Sequence, residues 1–63
     1  MTFKELRVNC GYKKQKEFAQ AVGKKITTVC MWETGKHTPK TKDIIHIAKV
    51  LGVSEKEVLN CFN

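Results

Sequence analysis

The side chains of this chain that are best placed to do chemistry are lysines, and the chemistry open to them is anion binding. Residues 13 to 42 carry eight (Lys13, Lys14, Lys16, Lys24, Lys25, Lys36, Lys40 and Lys42) against Glu17 and Glu33. Outside that window Lys4, Arg7, Lys49 and Lys56 are balanced by Glu5, Asp43, Glu55 and Glu57, so the whole net charge of +6 sits in the middle of the chain. Scattered lysines serve solubility; lysines gathered around one structural unit make a face for phosphates.

Other chemistries find little support. There is no nucleophile with a paired base, no phosphate-cradling glycine loop and no carboxylate pair beyond ordinary helix faces, so no catalytic residue, no cofactor and no small-molecule substrate is assigned. Cys10, Cys30 and Cys61 are odd in number and too far apart for a C-x-x-C motif, which argues against a disulfide framework or a structural zinc and for reduced thiols. His37 has no Cys, Asp or Glu at ligand spacing and reads as a solvated loop histidine, and His46, between apolar residues in a helix, reads no better as a metal ligand.

A phosphate-binding face needs rigid elements to hold it, and the apolar spacing supplies them. From Gln15 to Val22 the apolar residues Phe18, Ala19 and Val22 fall on one side of a helix, with Gln15, Lys16 and Gln20 outside. Gly23 offers a left-handed stop, and Ile26 to Glu33 then place Val29 and Trp32 three residues apart on a second buried face. Two helices joined so tightly must cross steeply, which predicts a helix-turn-helix whose second helix offers Ile26, Thr27, Cys30 and Met31 to a DNA major groove. Trp32 falls on the inner face, as a core residue rather than a base-stacking one.

Elsewhere the pattern predicts a first helix over residues 2 to 10, with Thr2 as N-cap and Phe3, Leu6 and Cys10 on one side. Cys10 is then a small core residue rather than a reactive thiol. Residues 34 to 41 read as a basic loop, residues 43 to 51 as a fourth helix with Ile44, Ile47, Ala48 and Leu51 buried, and residues 54 to 62 as a last helix opened by a Ser54–Glu57 capping box, with Val58 and Leu59 on its apolar face. The expectation is an all-α, five-helix single domain spanning 1–63. That is below the size at which a core alone gives a comfortable margin. No apolar run approaches the roughly 20 residues of a membrane span, and the N-terminus has no secretory hydrophobic region, so the expected location is the cytoplasm.

The run QKEFAQAVG from Gln15 to Gly23, then WETGK from Trp32 and LGVS from Leu51, resembles the Cro and phage-repressor type of helix-turn-helix DNA-binding domain, the xenobiotic-response-element regulators. The resemblance runs from about Leu6 to Leu59. It implies a lambda-repressor-like fold with the helix-turn-helix in helices 2 and 3. It places Ile26, Thr27 and Met31 at base-facing positions with Cys30 adjacent, turns Thr28 toward the DNA backbone, and gives Gln15 a phosphate. Two positions depart from the family. Lys14 and Lys25 stand where it usually has a Ser or Thr cap; a lysine cannot accept the amide hydrogen bond and its charge opposes the helix dipole, at a local cost of about 1 kcal/mol that a bound phosphate would reverse. Lys14, Lys24, Lys25, Lys36 and Lys40 are accordingly expected on phosphates. Since Ile26 and Met31 cannot form paired hydrogen bonds with purines, the readout is expected to be modest and to lean toward A·T pairs.

The implied function is sequence-specific binding of double-stranded DNA by a transcriptional regulator, a repressor acting as a dimer on an inverted repeat. The alternative is a protein-interaction module, such as an antitoxin or an anti-repressor partner, using the same helix 3 face. The end of the chain, Val58 to Phe62, holds more apolar residues than one face of a short helix can bury. Cys61 and Phe62 are therefore expected in a small, weak homodimer contact, the alternative being that Phe62 folds back beside Phe3.

Overall fold

Each helix starts and stops where local backbone chemistry dictates. In the computed structural model, which describes residues 1–62, the elements are α1 (Phe3–Asn9), α2 (Gln15–Val22), α3 (Ile26–Thr34), α4 (Thr41–Leu51) and α5 (Glu55–Asn60), with no strand among the described residues. The Thr2 side chain accepts the Glu5 backbone N–H (3.1 Å) while the Thr2 N–H donates to the Glu5 carboxylate (2.9 Å), closing a complete capping box on α1. At α5 only the serine half forms: Ser54 Oγ accepts the Glu57 N–H at 3.1 Å.

Two boundaries differ from the sequence expectation. Helix α4 begins at Thr41 rather than Asp43, with Lys40 as its N-cap, so Thr41 belongs to a helix and not to the loop, and Lys42 is helical too. Polar residues at the first helical positions carry no apolar signal, and Asp43 then sits in the first turn, where its charge suits the helix dipole. Helix α5 ends at Asn60, and Leu59, expected on the apolar face, is 48% exposed while Val58 is fully buried.

Helices α4 and α5, α2 and α3, α2 and α4, and α1 and α3 pack against one another. Beneath them all five aromatic rings join one cluster centred on Phe3, which meets Phe18 edge-on at 5.6 Å, Trp32 edge-on at 6.3 Å and Phe62 at a tilt, 5.1 Å between centroids; Tyr12 extends it through Phe18 at 5.7 Å. Such pairs add about 0.5–1.5 kcal/mol each beyond their burial, which matters in so short a chain. Val29 and Ile47 are wholly enclosed, and Trp32 is core, as its spacing predicts. Pro39 is buried too, pinning the loop between α3 and α4 to the body of the domain.

Candidate nucleic-acid interface

The interface is built on the α2–α3 turn. Gly23 takes the left-handed conformation (φ 71°, ψ 31°) that a side chain would strain, and the Lys24 N–H returns to the Ala19 carbonyl at 2.9 Å, closing α2 sharply. Helix α3 starts only three residues later, its buried edge formed by Val29 and Trp32. Its other face carries Ile26, which is 47% exposed, the exposed Thr27 and Cys30, and the half-buried Met31. These four, with Gln15, Thr34 and Lys36, line a shallow depression of about 490 Å³. The structure thus brings together the residues that the sequence assigns to base reading, with Thr28 half-buried beside them.

The starts of three helices are unusual. Lys14, Lys25 and Lys40 are the N-caps of α2, α3 and α4, each with an extended backbone and no side-chain hydrogen bond to the first turn. The first amides of these helices have no intrahelical partner and point outward, and each start carries an added positive charge. Lys14, Lys25, Lys36 and Lys40 are exposed and have no ion pair among the described residues. Lys24 differs, because its Nζ lies 3.3 Å from Asp43 Oδ1 on α4, so part of its charge is used within the chain.

Two residues that the sequence reading left in the surface charge balance are in the interior. The Arg7 side chain is 2% exposed; its Nε donates to Glu33 Oε2 at 2.6 Å and its Nη1 to the Tyr12 carbonyl at 2.6 Å. The other Glu33 oxygen accepts from Gln15 Nε2 at 2.9 Å. Gln15, expected on a phosphate, thus has its amide oriented from inside by Glu33. The signal was present in the spacing: Arg7 follows Phe3 and Leu6 by four and one residues, and Glu33 follows Val29 and Trp32 in the same way, so opposite charges stand on two buried stripes. The network also takes Glu33 out of the surface, leaving Glu17 as the exposed acid within the cationic window.

At the C-terminus Phe62 is half-buried against Phe3 of its own chain, the fold-back arrangement, and not freely exposed for a second copy. Cys61 is half-buried as well, its thiol donating to the Glu57 carbonyl at 3.4 Å, and burial pushes that thiol's pKa up. Both were expected to be surplus apolar surface; Phe3, at the very start of α1, supplies the ring that covers Phe62. The large apolar side chain left out on α5 is Leu59.

Compared with known families, residues 3–58 match the helix-turn-helix family of the Cro and phage-repressor type. The chain belongs to this family. Its members are DNA-binding domains of transcription regulators, and as one of them the chain is a DNA-binding domain of the same type. Neither a comparison with curated proteins nor one with solved structures gave a match. No helix among the described residues is long and apolar enough to cross a membrane.

Proposed function

We propose that the domain is a sequence-specific repressor that binds an inverted-repeat operator as two copies, each laying α3 in the major groove. The observation that supports this reading is that α2, α3 and α4 all start on exposed, unpaired lysines while α3 keeps an exposed face. Lys14, Lys25, Lys36 and Lys40, with the free amides behind them, hold phosphates on both sides of the groove. Gln15 joins them with the amide edge that Glu33 does not occupy, Thr28 reaches the sugar–phosphate backbone, and Lys24 contributes by exchanging Asp43 for a phosphate.

The size of the domain suits a pairing of copies. The Cα extents are 24 × 23 × 21 Å, and side chains bring two domains on successive turns, about 34 Å apart, into contact over a small area only. The contact is a weak homodimer around the end of α5, where Leu59 is exposed beside the remaining surface of Cys61 and Phe62. DNA reinforces it by raising the effective concentration of the second copy.

Selecting bound duplexes from a random pool and sedimenting the protein with the winner tests this reading. The expected result is a two-fold symmetric site carrying two chains. One chain per duplex, or a selected site without symmetry, contradicts the paired arrangement. Weak, salt-insensitive association contradicts DNA binding by α3 and favours a protein partner for its exposed apolar face.

A further inference from the structure

The reading face of α3 is chemically uneven. Of its four side chains, Ile26 and Met31 are apolar, Cys30 offers a weakly polar thiol, and Thr27 alone brings a conventional hydrogen-bonding group together with a methyl. No guanidinium, carboxylate or free amide stands there, so the paired hydrogen bonds by which Arg marks guanine, Asn or Gln marks adenine and Glu marks cytosine are missing. The one side-chain amide in the lining, Gln15, is oriented by Glu33 at 2.9 Å and not free to turn onto a purine. What the face presents is a shallow, largely apolar depression with Lys36 in its lining and Lys25 directly before Ile26.

In a major groove, the apolar feature that fits such a depression is the C5 methyl of a pyrimidine, carried by thymine and by 5-methylcytosine and absent from cytosine and uracil. Resting on the DNA-binding reading above, we propose that this domain selects its operator by burying pyrimidine C5 methyl groups against Ile26 and Met31, flanked by Thr27 and Cys30, rather than by hydrogen-bonding purines. Charge complementarity between Lys36, the lysines at the helix starts and the phosphates fixes the occupant as duplex DNA. The methyl supplies the discrimination, and Thr27 accommodates the neighbouring O4 or N4 by turning its hydroxyl.

The test uses the tightest duplex from the selection, resynthesised with deoxyuridine for each thymidine in turn. Loss of one buried methyl is expected to weaken binding about fourfold at each contacted thymine and not elsewhere. Placing cytosine and then 5-methylcytosine at the same positions separates the two sources. If 5-methylcytosine restores what cytosine loses, methylated cytosine belongs to the ligand class; if it binds no better than cytosine, thymine is the sole source, and the methyl reading stands on the uracil result either way. Ile26→Ala, whose side chain is half exposed, is expected to keep the helical circular dichroism and bring the thymine-to-uracil ratio toward one. Uracil tolerated at every thymine overturns the proposal, as does a ratio unchanged by both Ile26→Ala and Met31→Ala. Salt-sensitive binding without any enriched sequence overturns it too while leaving DNA binding intact, whereas failure to bind any duplex removes the DNA reading beneath it.

Discussion

The starts of the five helices divide into two kinds. Thr2 and Ser54 cap α1 and α5 with side-chain oxygens, and acidic residues stand in those first turns, so both ends are satisfied by the protein itself. Helices α2, α3 and α4 begin on Lys14, Lys25 and Lys40 without a side-chain cap, and α3 has no acid in its first turn. On one flank a side-chain oxygen answers a first-turn donor; on the other no side chain does, although Glu17 and Asp43 stand in the first turns of α2 and α4. That contrast is what the proposed binding of phosphates by Lys14, Lys25 and Lys40 rests on.

Arg7, Glu33 and Gln15 join the two flanks, running from α1 through the interior to the first residue of α2. Cutting this link gives the largest expected effect. Glu33→Ala strands a buried guanidinium and should cost about 3–5 kcal/mol, enough to unfold a domain of this size, as denaturant melts will show. Gln15→Ala removes only the outer end and should cost roughly 1 kcal/mol while weakening every DNA sequence alike.

Next come exchanges between the two kinds of start. Lys25→Ser supplies the missing cap and removes the charge, so thermal melts should show a gain of about 1 kcal/mol while affinity for DNA falls. Thr2→Ala should lose a similar amount, about 1 kcal/mol, and leave DNA affinity unchanged. If both variants shift stability in the same direction, the distinction between the flanks fails.

The smallest effect expected is on pH dependence. The Thr2 backbone N–H, aided by the Thr2 side chain, holds the Glu5 carboxyl below its usual range. Its folded pKa being depressed, the stabilisation is fully present above the ordinary carboxylate pKa of about 4.3 and is lost as the pH falls through the lower folded value. Melts of the chain and of Glu5→Gln should therefore differ by a constant amount above that range and converge in stronger acid.

The helices were legible because their periodic apolar residues and the stops at Gly23, Gly35 and Gly52 agree, and the reading face followed from counting along α3. The start of α4 was not, since Lys40, Thr41 and Lys42 read alike as loop or first turn. Nor was the buried pair: a charge on an apolar stripe is recognisable only when its partner on another helix is considered with it, as Arg7 and Glu33 require. The place of Phe62 stayed open between a dimer contact and the fold-back beside Phe3, because local spacing does not choose between a ring of the same chain and one of a second copy.

The most direct test of the contrast between flanks compares equal charge changes on each. Lys14→Ala, Lys25→Ala and Lys40→Ala on the lysine-started side are set against Lys4→Ala and Lys56→Ala on the self-capped side, and duplex affinity is measured as salt is raised. Each of the first three should lower the magnitude of the log–log salt slope by roughly 0.9, the signature of one lost phosphate contact, while the last two leave it unchanged. Equal changes in all five, or none in the first three, would contradict the assignment of those helix starts to phosphates.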